Sequence, residues 1–169
     1  MVNLLIVSFL LFNGFDLGGR VGIAFPTGGV NRTTRSSTFI GAQAGYGFGR
    51  HRTELGYSFF SFPGKGTTPY ELIIQEIALA YNYEVFSRPV WGINLNTGPG
   101  FGFIRRAFGS SKETGRAPNW HLGIFFVQHE GKSRVGAGLD NIIYLEGIAA
   151  KRLAITYFPV IRVEVAYAF

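Results

Sequence analysis

The last seventeen residues of the chain, 153–169, read LAITYFPVIRVEVAYAF. Every second residue from Leu153 to Phe169 is apolar or aromatic. The residues between them are mostly small, polar or charged, and they include Arg162 and Glu164. A period of two predicts a β-strand with two different faces. A tilted strand that crosses a bilayer needs about 9–11 residues, so this strand is long enough to span one.

Seven further segments repeat this alternation, and turns or polar loops separate them. The eight predicted strands are residues 15–25, 38–48, 53–62, 71–85, 90–104, 119–128, 134–145 and 153–169. The alternation is lost at residues 141–144, which predicts a bulge in the seventh strand. The connections alternate long, short, long, short, long, short and medium, and the longest one is the polar, basic segment 105–118. This order predicts an all-β fold, an eight-stranded antiparallel up-and-down barrel.

The composition indicates that the barrel lies in a membrane. Charged residues make up 15% of the chain, aromatic residues 16%, and there are 24 glycines. A soluble domain carries about 25% charged residues, so an exterior that faces lipid fits better. No apolar run reaches the roughly 18 residues of a membrane helix. Strands that cross a membrane must close into a barrel, and the loop lengths predict that both termini are periplasmic.

A soluble, lipocalin-like ligand-binding barrel is the alternative. It would bury the apolar face of each strand and expose the other face to water. In the fifth strand that exposed face would consist mainly of glycine, with Asn94 and Asn96 as its larger residues. The buried face would also carry more large side chains than an eight-stranded barrel can enclose. The transmembrane barrel is therefore the favoured prediction.

The N-terminal segment 1–14, MVNLLIVSFLLFNG, contains an apolar run that only Ser8 interrupts. Its length is typical of the apolar part of a signal peptide. No Lys or Arg precedes the run, and the sequence Phe12-Asn13-Gly14 is a poor match to the small-residue pattern of a cleavage site. The segment is predicted to be a signal peptide or an apolar N-terminal extension, followed by the barrel domain at 15–169. The chain has no cysteine, which excludes disulfides, thiol catalysis and cysteine-based zinc sites.

The strand pattern after residue 14 resembles the small eight-stranded outer-membrane proteins related to the OmpA transmembrane domain and OmpX. The last strand is also similar to the C-terminal assembly signal of that class, with Arg162, Tyr167 and Phe169 at the matching positions. The resemblance implies a bacterial outer-membrane location and insertion by the outer-membrane assembly machinery. It implies little about the task of the protein, because members of one fold perform different functions.

Several ionisable residues fall on the face that the alternation turns toward the lumen. They are Arg20, Glu54, Glu76, Glu84, Asp140, Arg162 and Glu164. Buried charges require partners, so we expect ion pairs that fill the lumen. Glu164, Glu76 and Asp140 are the predicted partners of Arg20 and Arg162. The glycines at 98, 100 and 102 follow strand periodicity, and we expect them to make room for large lumen side chains of other strands.

His121 lies on the same lumen face, and it raises the question of catalysis. Barrel lipid A deacylases have a His and a Ser two residues apart on one strand, but Gly123 occupies that position here. Ser110 and Ser111 have no spacing that fixes them near His121. We therefore interpret His121 as a hydrogen-bonded structural residue. His51 and His129 fall in predicted short turns, where solvation is expected. The three histidines have no metal-ligand spacing.

The connections predicted to face outward are basic. Their cations are Arg32, Arg35, Lys65, Arg105, Arg106, Lys112, Arg116, Lys151 and Arg152, and the net charge of the chain is +6. The candidate anion-binding residues are these cations with the exception of Lys65. Phosphates of lipopolysaccharide are the expected anions, because guanidinium groups bind phosphate bidentately. Simple solvation is the alternative, and no nucleic-acid recognition module is present.

These observations predict a non-enzymatic structural or surface-interaction protein of the bacterial outer membrane. A lipid-modifying enzyme similar to the lipid A deacylases is the alternative. Neither a cofactor nor a metal ion is predicted. The expected partners are outer-membrane lipids and the assembly machinery, with no nucleic acid, and the expected state is a monomer.

Overall fold

The chain folds into one closed antiparallel barrel. The computed structural model describes residues 14–66, 70–145 and 155–169. Each strand pairs with the next, and β8 pairs with β1. The strands are β1 Gly14–Ala24, β2 Ser37–Phe48, β3 His51–Pro63, β4 Tyr70–Ser87, β5 Trp91–Phe108, β6 Ser111–Glu130, β7 Ser133–Tyr144 and β8 Thr156–Ala168. One short helix, α1 Gly28–Thr33, lies between β1 and β2. The predicted eight-stranded up-and-down barrel is confirmed.

The two faces of the strands point as the alternation predicts. On β8, Ile161, Val163 and Val165 are exposed, whereas Arg162 and Glu164 are buried. The same holds around the barrel, where an apolar face is outside and the inner face carries the buried charged side chains. A soluble barrel would have the reverse arrangement, so the lipocalin-like alternative is wrong. Among the described residues, no helix is long and apolar enough to span a membrane.

Exposed aromatic side chains collect at both ends of this apolar exterior. Near the short turns they are Phe15, Phe48, Tyr81, Tyr83 and Tyr167, and near the opposite end they are Phe25, Phe101, Phe103, Trp120 and Tyr157. Aromatic girdles mark the two interfaces of a membrane barrel. Trp120 donates a hydrogen bond from its indole nitrogen to Thr97 Oγ1 at 2.9 Å, which fixes one ring of the outer girdle.

The lumen is divided along its length into an apolar half and a charged half. The outer half holds an apolar plug of packed rings and aliphatic side chains. Its ring centroids lie 4.8 Å apart for Phe39 and Phe60, and 5.1 Å apart for Phe62 and Phe158. Val30 of α1 is buried at 1% exposure and belongs to the same cluster, so the helix closes the outer end. The half nearer the short turns contains the buried charges.

The segment 105–118 differs most from the prediction, because it forms a β-hairpin where the sequence predicts a long polar loop. β5 continues to Phe108 and β6 starts at Ser111, with a tight turn at Gly109, whose φ is +56°. β4 accompanies β5 as far as the pair Tyr70 with Phe108. We call the raised part of β4–β6, residues 70–74 and 104–117, the outer wall. Residues 105–108, beyond the predicted end of the strand, add roughly 13 Å to β5 at about 3.3 Å per residue.

Three smaller differences concern local structure. The predicted bulge at 141–144 is wrong, since β7 pairs with β8 without a register shift. The irregularity lies in β4 instead, between Glu84 and Phe86. His51 is within β3, where its ring stacks on Phe48 and its Nδ1 contacts the Tyr81 hydroxyl. The predicted start of the last strand at residue 153, and the segment 1–13, lie outside the described residues.

A charge placed on the lipid face tests the register. Leu79 is exposed near the middle of β4, and Leu79→Arg should lower the free energy of unfolding in lipid vesicles by about 2–4 kcal/mol. Leu145→Arg, at the outer end, should cost about 1 kcal/mol or less. Urea unfolding of both variants measures the difference. A Leu79→Arg barrel as stable as the parent would mean that the faces are exchanged.

Candidate functional site: the charged lumen and the outer wall

A first chain of ion pairs fills the lumen next to β1–β3. Arg52 donates two hydrogen bonds to Asp16, Nε to Oδ2 at 2.9 Å and Nη2 to Oδ1 at 2.6 Å. Arg52 also donates to Glu54 through Nη1. The other oxygen of Glu54 accepts from Arg20 Nη1 at 3.4 Å. Each carboxylate in this chain therefore has a guanidinium partner.

A second chain runs along β6–β8. Arg134 Nη2 lies 2.9 Å from Glu164 Oε1, and Arg162 Nη2 lies 3.3 Å from the other oxygen of Glu164. Arg162 Nη1 donates to Asp140 Oδ2 at 3.1 Å. The Arg162 guanidinium also stacks on the Phe125 ring, 4.2 Å from its centroid. Arg162 is thus held by two carboxylates and one aromatic face.

His121 continues the second chain toward the apolar plug. Its Nδ1 lies 3.1 Å from Asp140 Oδ2, and its Nε2 lies 3.2 Å from Glu76 Oε1. Glu76 Oε2 accepts from Asn119 at 2.8 Å and from the Tyr144 hydroxyl at 2.9 Å. The imidazole therefore bridges two carboxylates, and Tyr144 joins the polar network to the plug.

All seven predicted lumen residues are buried on the inner face. Of the predicted partners, Asp140 and Glu164 bind Arg162, whereas Arg20 pairs with Glu54 and Glu76 pairs with His121. Glu84 lies 3.8 Å from His129, whose imidazole is 8% exposed, so the expected solvation of this histidine is wrong. The network also contains three charged residues absent from the prediction, namely Asp16, Arg52 and Arg134.

Glycines make room for these long side chains. A Cβ atom at Gly102 would lie 2.8 Å from the Tyr144 ring. At Gly56, a Cβ atom would lie 2.6 Å from the Arg20 guanidinium carbon. Gly98 differs, because its neighbours are backbone atoms of Leu79 and Ala80. The glycines at these positions therefore leave the space that the buried Arg20 and Tyr144 side chains occupy.

The outer wall carries most of the predicted anion-binding residues that the structure describes. Arg105, Lys112 and Arg116 are exposed on its outward face. Arg106 is half-buried on the other face and lies 3.7 Å from Glu113. Arg32 is exposed in α1 and Arg35 is exposed just after it, and Lys151 and Arg152 lie outside the described residues. Lys65 donates to the carbonyl and side-chain oxygens of Asn31 and thereby ties α1 to the neighbouring loop.

The predicted assembly-signal residues divide between the two faces. Tyr167 and Phe169 are exposed outside, with ring centroids 5.6 Å apart, and Arg162 belongs to the lumen network. The Phe169 amide donates to the Phe15 carbonyl at 3.0 Å across the barrel closure. Recognition by the assembly machinery stays a prediction.

The fold matches solved membrane barrels over nearly the whole chain. Neisserial surface protein A matches at a TM-score of 0.58 and 13% identity, covering 93% of this chain and 98% of that one. Ail of Yersinia pestis matches at a TM-score of 0.59 and 8% identity, covering 93% of this chain and 99% of that one. The N-terminal barrel domain of Pseudomonas aeruginosa OprF matches at a TM-score of 0.59 and 14% identity, covering 92% of this chain and 99% of that domain. No family model and no curated sequence matches the chain.

The fold is that of the small eight-stranded outer-membrane barrels. Together with the apolar exterior and its two aromatic girdles, this fold places the protein in a bacterial outer membrane. The outer wall and α1 then lie on the side of the longer connections, which faces out of the cell in such barrels.

The second ion-pair chain yields a stability prediction. Arg162→Ala removes the shared partner of Asp140 and Glu164 and should lower the free energy of unfolding by about 3–5 kcal/mol. Arg32→Ala, at an exposed position of α1, should change it by less than about 0.5 kcal/mol. Urea titration in lipid vesicles measures both. An Arg162→Ala barrel as stable as the parent would mean that water hydrates these carboxylates.

The apolar plug yields a transport prediction. The rings of Phe62, Tyr144 and Phe158 pack across the outer lumen, with Tyr144 and Phe158 centroids 5.7 Å apart. The purified barrel in a planar bilayer should therefore show no large steady conductance, because eight strands leave only enough room for side chains. Stepwise porin-like currents, with a known porin as the positive control, would contradict a closed lumen.

Proposed function

We propose that this protein is a non-enzymatic surface-interaction barrel that binds anionic saccharides outside the cell through its basic outer end. The observation that carries the proposal is the outer wall, a paired sheet raised above the outer girdle that carries Arg105, Arg106, Lys112 and Arg116. Their acidic counterparts on the wall are Glu71 and Glu113. The excess of positive charge favours an anionic partner.

The remaining basic residues extend this charge around the outer end. Arg32 and Arg35 are exposed next to the loop that carries Lys65. The Lys65 amide donates to the Thr33 carbonyl, and the Arg35 amide donates to the Pro63 carbonyl, both at 2.8 Å. These bonds fix the loops before any partner arrives. Preorganised cations lose less entropy on binding than cations on mobile loops.

The position of His121 argues against the lipid-modifying alternative. His121 is 3% exposed and faces the lumen, where its neighbours are Asp140 and Glu76. Ser111 lies ten residues away on the same strand, which corresponds to roughly 33 Å at about 3.3 Å per residue. A lipid substrate approaches the lipid-facing exterior of the barrel, so His121 and Ser111 cannot act together on it.

One solved relative of the fold gives the proposal a chemical precedent. Ail of Yersinia pestis has been crystallised with the heparin analogue sucrose octasulfate, and that structure matches this chain at a TM-score of 0.56 and 9% identity. A sulfated saccharide is therefore a suitable probe. Exposed guanidinium and ammonium groups bind such anions through charge-assisted hydrogen bonds that salt weakens.

Binding of a heparin oligosaccharide to the detergent-solubilised barrel tests the proposal. A triple variant, R32Q/R35Q/K112Q, should bind about tenfold more weakly at low salt, since each exposed charge pair contributes about 0.5 kcal/mol. The matched control is R50Q/R88Q/K132Q, which removes the same charge from exposed positions in the short turns at the opposite end. The control should bind as the parent does.

Two results would contradict saccharide binding by the outer end. One is equal affinity of the parent and the outer triple variant. The other is an equal loss in both triple variants, because that would reflect net charge alone. Calorimetric titration at two salt concentrations separates these outcomes.

A further inference from the structure

The lipid-facing side of the barrel has a groove at the base of the outer wall. Its cavity volume is about 460 Å³. Two rows of paired residues cross it from strand to strand. The inner row is Phe59, Gln75, Phe103 and Arg116, and the outer row continues through Ile73, Arg105 and Thr114.

The groove combines an apolar floor with a cationic rim. Phe59, Ile73 and Phe103 supply the floor, and Arg116 lies 5.8 Å from the centroid of the Phe103 ring. Arg105 and Arg116 supply the rim. No carboxylate is among the described residues that line the groove.

The nearest acidic residues already have partners of their own. Glu71 accepts from the Ser61 hydroxyl at 3.3 Å, and Glu113 lies 3.7 Å from Arg106 on the other face of the hairpin. Arg105 has no carboxylate partner among the described residues. The two guanidinium groups are therefore available to an external anion.

The location of the groove specifies what kind of molecule reaches it. Toward the membrane, the groove continues into the exposed apolar side chains Ile77 and Phe101. Toward the outside, it continues into the basic outer wall. A molecule that fills it must have an anionic headgroup at the interface and acyl chains directed into the hydrocarbon. A free anion or a soluble glycan would leave the floor facing water.

We infer that this groove binds one phosphorylated saccharolipid of the outer leaflet, with a phosphate held between Arg105 and Arg116. Guanidinium groups match phosphate geometry bidentately, and the adjacent Gln75 and Thr114 side chains can hydrogen-bond sugar hydroxyls. The groove spans four strands, which is about 14 Å at roughly 4.8 Å per strand. That width suits a disaccharide headgroup with several acyl chains better than a two-chain phospholipid.

This inference goes beyond the saccharide binding proposed above, and Arg105 and Arg116 belong to both proposals. It needs Arg105 and Arg116 at the membrane interface, whereas the glycan test changes Arg32, Arg35 and Lys112. Loss of either binding activity alone therefore leaves the other proposal intact.

Native mass spectrometry of the purified barrel in detergent tests the inference. The probe is diphosphoryl lipid A, and the comparison lipids are lipid A without phosphates and phosphatidylglycerol. We expect one lipid A to stay bound per barrel. The variant R105Q/R116Q should retain lipid A at least tenfold more weakly, because each substitution removes a charge-assisted hydrogen bond to phosphate. The matched control, R32Q/R35Q, should retain it as the parent does.

A second variant tests the groove without changing charge. Thr114→Trp places a large ring in the cavity and should also reduce lipid A retention, while the heat-modifiable gel mobility of the folded barrel shows that the fold is kept. Excess inorganic phosphate should not displace the lipid. Equal retention by R105Q/R116Q and the parent, equal retention of lipid A without phosphates, or tighter retention of phosphatidylglycerol would each overturn the inference.

Discussion

The closure of the sheet between β1 and β8 is the constraint on which the rest of the structure depends. Unpaired backbone groups are costly in hydrocarbon, so a sheet in a membrane cannot keep an open edge. The register runs from Asp16 opposite Ala168 to Ala24 opposite Val160. Backbone hydrogen bonds that the amides of Phe25 and Phe169 donate extend the pairing at both ends. Closure at eight strands also fixes a narrow lumen. Long inward side chains then need small neighbours, which explains why Arg20 lies against Gly56 and Arg52 lies against Gly45.

The sequence predicts the strands and their faces because the bilayer imposes a strict period of two. It fails where the surroundings of a strand change along its length. At 141–144 the inner face meets the apolar plug, so Ile142 and Tyr144 are buried while Asn141 is exposed. The polarity of the two faces is inverted there, and a regular strand looks like a bulge. At 105–118 both faces of the hairpin leave the hydrocarbon, so the alternation that marks a strand is lost.

The charged lumen was partly predictable, for a related reason. Inward ionisable residues within the spans, such as Glu54 and Arg162, follow directly from the alternation. Arg52 and Arg134 lie next to short turns, where a charged residue usually indicates solvent. Their side chains instead reach Asp16 and Glu164 inside the barrel. Which carboxylate pairs with which arginine depends on strand register and on rotamers, and neither is encoded in a single strand. The groove at the outer girdle likewise requires residues from four strands.

The two charged regions follow opposite rules. In the lumen, Glu54 and Glu164 each contact two guanidinium groups, and Asp140 contacts Arg162 and the imidazole of His121. Burial demands this pairing, because a lone charge would be too costly there. At the outer end, cations outnumber carboxylates and remain exposed to water or to lipid headgroups. Internal stability does not require that excess, since exposed ion pairs contribute little. Arg105, Lys112 and Arg116 therefore carry an excess of positive charge that the fold does not need, and both proposed anion-binding activities rest on it.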